Sequence, residues 1–177
     1  MNGGLFILHG LIATVEDRIT PYVHKFIDYI ICSLKMENCD SMGTRVAAGL
    51  ISDLANSIQF DIMQWMDPIT SCLQHILVDN SFDSEAKLVT IIAFGDVSLA
   101  AGPIEFMKYL PGTMECFTQA SQLSLTVSNV PDDIQLLTKL RVALVEAYIS
   151  ILHALVPEDN TTPLTEDQEM TSEQFAL

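Results

Sequence analysis

Basic residues are scarce in this chain of 177 residues, in which 8 lysines and arginines stand against 23 aspartates and glutamates, for a formal net charge of −15. Such an acidic chain repels phosphate backbones and favours basic partners, so we do not expect it to bind nucleic acid. Residues 157–177 hold six of the acids and no lysine or arginine, which leaves residues 1–156 at −9. A basic protein partner is therefore the expectation.

Paired cysteines are also missing. The four cysteines, Cys32, Cys39, Cys72 and Cys116, lie at wide spacings without a CxxC pair. This pattern fits reduced thiols in the cytosol or nucleus better than a disulfide framework or a zinc site. Cys72 and His75 could share a helix face, but two potential ligands do not complete a metal site, so we expect no metal.

Signatures of catalysis, cofactors and membrane insertion are absent from the sequence. The glycines match neither a P-loop nor a dinucleotide fingerprint, and the histidines have no triad-like neighbours. We therefore expect no cofactor and no enzymatic activity. No uninterrupted apolar run reaches about 18 residues, and the N-terminal stretch lacks the basic region and cleavage pattern of a signal peptide. We predict a packed helix at the N terminus and no membrane span.

What the sequence does contain is helical periodicity almost throughout. Apolar residues recur at three- and four-residue steps, as in Tyr22, Phe26, Ile30 and Leu34, and alternation typical of strands is rare. The pattern predicts an all-α fold of about seven helices. Their predicted ranges are 3–16, 20–35, 41–58, 61–78, 85–101, 104–122 and 132–155. We interpret residues 157–177 as an acidic flexible tail or a loop between repeats.

The helices form a repeat. Tyr22 precedes Trp65 by 43 residues, and Tyr109 follows Trp65 by 44. Asp53 and Asp96 are likewise 43 residues apart. A period of about 43 residues that contains two helices is typical of HEAT or armadillo arrays, in which each helical pair buries its apolar face against neighbouring pairs. We predict an α-solenoid in which residues 1–156 form about three repeats plus a flanking N-terminal helix.

Three carboxylates occupy comparable places in this repeat. On a helical wheel Asp96 lies opposite Lys87, which predicts an interior, hydrogen-bonded structural carboxylate. Glu146 shares its face with Lys139, and also with Ser150 and His153, which predicts a solvated stripe open to a partner. Asp53 is predicted at the boundary between the interior and the solvated side of its helix.

Aromatic and methionine positions recur on the first helix of each predicted repeat. They are Phe26, Met63, Trp65, Phe106 and Tyr109. Core packing is the favoured interpretation for each of them. Any that are partly exposed between adjacent helices would instead line shallow apolar grooves.

Three segments of the chain are distinctive: "RVAAGLISDLANSIQFDIMQWMDPITSCLQHIL", "KLVTIIAFGDVSLAAGPIEFMKYLPGTMECFTQASQL" and "LTKLRVALVEAYISILHAL". They closely resemble the C-terminal half of the importin-β family, the karyopherin-β nuclear import receptors. The resemblance covers about residues 5–156, and its most specific elements are "FGDVSLAAG" and "FMKYL" with "TQAS" downstream. It implies a superhelix of HEAT repeats.

The resemblance also implies partners. In the family, second helices of successive repeats line a concave face that wraps the basic importin-β-binding helix of the adaptor importin-α, which assigns Asp53, Glu146, Ser150 and His153 to that face. Convex grooves accept Phe-Gly nucleoporins, which assigns Phe26, Met63 and Phe106 to them. Ran in its GTP state releases cargo, with its main contact outside this segment.

The prediction is thus a segment of a nuclear import receptor that acts in the cytoplasm, the nucleus and the nuclear pore. The alternative is a HEAT-repeat scaffold subunit of another complex, of the phosphatase or vesicle-coat type.

Overall fold

The computed structural model describes residues 2–35, 41–123 and 131–156, and within them it has seven α-helices, two 3₁₀ helices and no β-strand. The helices are α1 Asn2–Val15, α2 Ile27–Lys35, α3 Ser41–Ile58, α4 Met66–Val78, α5 Ser84–Phe106, α6 Leu110–Leu123 and α7 Pro131–Leu155. The all-α prediction is confirmed. The predicted acidic tail and Cys39 lie outside the described residues.

Several helix boundaries differ from the prediction. Helix α4 begins at Met66 rather than near residue 61, because residues Gln59–Trp65 form a 3₁₀ helix, and the other differences lie near glycine or proline. Residues Glu16–Lys25 form a 3₁₀ helix that contains Pro21, so α2 begins at Ile27. Helix α5 continues to Phe106 through a kink at Gly102, whose φ of 74° favours glycine, and Pro103 follows directly. The next helix therefore begins at Leu110 rather than near residue 104.

The helices form two layers. In the odd layer, α5 packs between α3 and α7, and α3 also packs on α1. In the even layer, α4 contacts both α2 and α6. Adjacent helices connect the layers, and one continuous apolar core extends from Leu5 on α1 to Ile151 on α7. This stacking of helix pairs in chain order is the predicted solenoid.

Helix α5 is the one described helix long and apolar enough to cross a membrane by length and composition. It has 23 residues, and half of its most apolar window is buried inside the protein. Its position between α3 and α7 accounts for this composition, because a central helix is in contact with protein on most of its circumference.

The three repeating aromatic residues lie in the links between odd and even helices, so the prediction that Trp65 and Tyr109 lie on the first helices of the repeats is wrong. Tyr22 belongs to the 3₁₀ helix before α2, and Trp65 ends the second 3₁₀ helix, Gln59–Trp65, before α4. Tyr109 lies between α5 and α6. Trp65 and Tyr109 pack against the core as predicted, whereas Tyr22, at the equivalent place of the first repeat, is 53% exposed.

Candidate functional site on the odd-layer face

The predicted carboxylates lie on three adjacent helices of the odd layer. Asp53 is on α3 and half-buried, Asp96 is on α5 and half-buried, and Glu146 is on α7 and exposed. We call the solvent side of α1, α3, α5 and α7 the odd-layer face. It carries all three carboxylates, and two of them already have partners within the protein.

Asp53 pairs with a histidine of the neighbouring helix. Its Oδ2 lies 2.6 Å from Nδ1 of His9 on α1, and both side chains keep contact with solvent. The two residues are 44 positions apart, which is one repeat. This separation of one repeat could have predicted from the sequence that His9 and Asp53 lie on adjacent helices.

Asp96 makes the equivalent contact one repeat later, since its Oδ2 accepts a hydrogen bond from the Ser52 hydroxyl of α3. The predicted interior position is wrong. The helical wheel placed Lys87 on the solvent side of α5, but Lys87 is 5% exposed, and Asp96 on the opposite side is only half-buried. The role of Asp96 as a structural carboxylate between repeats stays a prediction.

The three residues predicted to form a polar stripe on α7, Glu146, Ser150 and His153, differ in their exposure to solvent. Glu146 and His153 are exposed, and no described residue forms an ion pair or hydrogen bond with Glu146. Ser150 is half-buried because α5 approaches α7 at Gly95. A Cβ atom on Gly95 would lie 3.3 Å from the Ser150 Cβ and 3.4 Å from the Ala147 Cα. Glu146 is therefore the unpaired carboxylate of this face.

An apolar groove that was not predicted from the sequence lies beside Glu146. It has a volume of about 290 Å³ between α5 and α7. Its lining residues are Leu88, Ile92, Thr138, Lys139, Val142, Ala143 and Glu146. Ile92 is 43% exposed and Val142 is 51% exposed, so apolar surface remains in contact with water here. In the sequence, the four-residue spacing of Leu88, Ile92 and Asp96 on one side of α5 could have indicated this groove.

A second groove lies in the even layer, between α4 and α6. It has a volume of about 450 Å³. Its lining residues are Ser71, Gln74, His75, Val78, Gly112, Glu115, Cys116 and Gln119. Burial raises the pKa of the Cys116 thiol, and the Glu115 charge adds to this effect, so the thiol stays protonated and packs as an apolar group.

The predicted nucleoporin residues do not line this even-layer groove. Phe106 is fully buried, which excludes it from any surface groove. Phe26 and Met63 are partly buried and pack against the core, in the turn before α2 and in the second 3₁₀ helix. Hydrophobic periodicity identified large apolar residues correctly but did not distinguish core from groove.

The family model described as "Importin subunit beta-1-like, TPR repeats" matches residues 4–171. The chain belongs to the importin subunit beta-1-like family.

Relatives of this importin-β-like chain include importin subunit beta-1 of Schizosaccharomyces pombe, with 28% identity over 160 residues, which are 90% of this chain and 18% of the relative. Importin subunit beta-1 of Saccharomyces cerevisiae is 23% identical over 150 residues, or 85% of this chain and 17% of the relative. The chain thus spans less than a fifth of these relatives.

Two solved structures share the fold. One is of Kap95p, whose binding induces the switch loops of RanGDP to adopt the GTP-bound conformation. It matches this chain with a TM-score of 0.73 and 22% identity, and the match covers 85% of this chain and 17% of that chain. The other is a Kap95:Nup1 complex, with a TM-score of 0.73, 21% identity and coverage of 87% and 17%. Their HEAT-repeat solenoid confirms the predicted architecture.

Another polar contact of the importin-β-like chain joins consecutive repeats near the even layer. Lys108 Nζ and the Tyr109 hydroxyl donate hydrogen bonds to Oδ1 of Asp67 on α4, at 2.7 and 2.6 Å. The hydrogen bond from Lys108, followed by that from Tyr109, lowers the pKa of Asp67 below its ordinary value.

Within the described residues, no group of three or more His, Cys, Asp and Glu side chains could hold a metal ion.

Proposed function

We propose that this chain is a segment of a nuclear import receptor that binds a basic, amphipathic helix of an adaptor or cargo protein on its odd-layer face. One observation carries the proposal: the unpaired, exposed Glu146 lies at the edge of the apolar groove between α5 and α7. Family membership supports it, because the relatives are importin β subunits. The importin-α adaptor helix, which the family resemblance implied, is the partner we test first.

The chemistry of the groove suits such a helix. Leu88, Ile92 and Val142 can contact apolar side chains at the three- and four-residue spacing of a helix face. Glu146 then pairs with an arginine or lysine at the edge of that face, and Asp53 and His153 extend the polar rim. Rim charges mainly steer association and act over a Debye length of about 8 Å at physiological salt, so affinity should fall as salt rises.

The test is a titration of a fluorescent importin-α N-terminal helix peptide against the whole chain, followed by anisotropy at low and physiological salt. Reversing the rim charge in Glu146→Lys should weaken binding by about threefold to tenfold, as expected for a rim charge. Replacing a groove residue in Ile92→Asp should weaken it further, since the apolar contact is lost.

Glu169→Lys provides the matched control, because it makes the same charge reversal within residues 157–177. It should change binding little. If Glu169→Lys weakens binding more than Glu146→Lys does, the odd-layer face is the wrong assignment.

We also propose that the even-layer groove between α4 and α6 accepts Phe-Gly segments of nucleoporins. Its volume of about 450 Å³ is open to a side chain, and Kap95, which shares the fold, is known in complex with Nup1. Gly112→Leu places a side chain in this groove, where an added Cβ would meet only the movable end of Gln74. A Phe-Gly peptide should then bind less tightly, whereas an odd-layer variant, Glu146→Lys, should leave its binding unchanged.

The chain acts, in this proposal, without catalysis and without a cofactor, in the cytoplasm and the nucleus and at the nuclear pore. Ran-GTP regulates the full receptor through a main contact outside this segment. A phosphatase or coat scaffold is the alternative, and membership of the importin-β family argues against it. Capture of phosphatase or coat subunits with no affinity for the adaptor helix would favour that alternative.

A further inference from the structure

A third cavity lies at one end of the array, apart from both grooves. It has a volume of about 220 Å³ where the turn between α4 and α5 meets α6 and α7. Its lining residues are Asn80, Phe82, Ser84, Lys87, Ala120, Leu137 and Leu140. Ala120 and Leu140 are buried, whereas Asn80 and Ser84 are exposed, so the cavity has an apolar floor and a polar mouth.

The unusual member of this cavity is Lys87, which is 5% exposed. Among the described residues, none accepts a hydrogen bond from its ammonium group and none forms an ion pair with it within 4 Å. Burial lowers the pKa of Lys87, and the charge of Asp79 opposes part of that effect. A buried lysine ordinarily has a bonded counter-ion, because removing its charge from water is costly.

We propose that this cavity binds a small apolar carboxylate, with the carboxylate paired to Lys87 and the apolar body against Leu137, Leu140 and Phe82. The combination of a mostly buried lysine and an apolar wall in one cavity carries the proposal. The Lys87 ammonium keeps contact with solvent, since among the described residues Thr44 Oγ1 is the one fully buried side-chain polar atom without a partner, so a ligand in the cavity can reach it. A carboxylate gives Lys87 a charge-assisted hydrogen bond that the described residues do not provide.

The volume of the cavity and the net charge of the chain restrict which carboxylates can bind. A volume of about 220 Å³ is below the range of about 300–1,000 Å³ that is usual for drug-sized ligands, so the ligand has one short apolar group. The chain has a net charge of −15, which repels anions from the surface in general. Carboxylate binding would therefore have to come from the local charge of Lys87 and not from the overall field.

The experiment uses two probes of nearly equal shape, 3-phenylpropionate and its neutral amide, with the full chain. Chemical shifts of the leucine methyl groups are followed by NMR during each titration. We expect the carboxylate to shift the Leu137 and Leu140 signals and to bind at least tenfold more tightly than the amide. The comparison of the two probes needs no variant, so it stands even if a substitution at Lys87 impairs folding.

Two lysine variants test which positive charge the carboxylate contacts. Lys87→Met keeps an unbranched apolar side chain and should remove the preference for the carboxylate. Lys139→Met, which removes an exposed lysine from the α5–α7 groove, should leave that preference unchanged. The proposal is overturned if neither probe shifts the two leucines at millimolar concentration, if the amide binds as tightly as the carboxylate, or if Lys139→Met has the larger effect.

Discussion

The two layers of this solenoid differ in how closely their successive helices approach. In the odd layer, α5 packs extensively against α3 and α7, and Gly95 brings the α5 backbone next to Ala147. In the even layer, contacts between α4 and its neighbours are sparser, and an open groove separates α4 from α6. An added Cβ at Gly112 in that groove meets the end of Gln74, not a backbone.

This difference shows how one repeat unit provides both rigidity and binding surface. Small residues let odd helices pack side by side, and contacts such as His9–Asp53 and Ser52–Asp96 join them one repeat apart. The wider spacing of the even helices leaves apolar and polar side chains accessible between them. We therefore expect contacts of the odd layer, including those that even helices make with it, to set stability, and the groove surface between α4 and α6 to tolerate substitution.

The largest expected effect comes from breaking the connection between layers. The Phe117 ring of α6 packs edge-to-face against Phe94 and Tyr148 of the odd layer, with centroids 5.8 and 5.3 Å apart. Phe117→Ala should lower the free energy of unfolding by about 3–5 kcal/mol, because it leaves a cavity between the layers. Urea denaturation measures this. Phe60→Ala, at a residue 60% exposed, is the matched control and should cost little.

The second prediction tests the close approach of α5 and α7 directly. Gly95→Leu should lower the free energy of unfolding by about 1–3 kcal/mol, because the larger side chain is forced against Ser150 and the Ala147 backbone. Gly112→Leu in the even layer should change it by less than about 0.5 kcal/mol, since Gln74 can move aside. Equal losses in the two variants would mean that the layers do not differ in packing.

The third prediction concerns a polar contact within the odd layer. Asp96→Ala removes the acceptor of the Ser52 hydroxyl and should lower the free energy of unfolding by about 0.5–1.5 kcal/mol. Because Asp96 is half exposed, the loss should remain at this modest level. A double-mutant cycle with Ser52→Ala isolates the contact. Strictly additive effects would show that the hydrogen bond contributes nothing to stability.

The smallest effect is expected at Asp67, on α4 of the even layer. Its lowered pKa means that its ionised form is stabilised in the folded protein, so this contribution is present above the ordinary value of 3.8 and disappears as pH falls through the folded value. Asp67→Asn should therefore lower Tm slightly at pH 7 but not at pH values below the folded pKa. Asp61→Asn, at another exposed aspartate, is the control. A difference in Tm that persists in strong acid would contradict the assignment.

The sequence by itself determined the helical class, the repeat and the family. Its period of about 43 residues follows from local patterning, because each helix pair presents its apolar face at fixed spacing. The resemblance to importin-β needed only the segments themselves, and the family match over residues 4–171 agrees with it. The acidity that favours a basic partner is likewise a property of composition.

Only the tertiary structure decided which side of each helix meets water. A helix at the centre of an array has neighbours on several sides, so its wheel contains few polar residues to mark the outer side. On α5 the wheel alone predicts Lys87 outside and Asp96 inside, whereas in the packed array Lys87 is buried and Asp96 is half-buried beside Ser52 of α3. The grooves and the Lys87 cavity, each formed by residues from separate helices, could be recognised only after those helices were packed together.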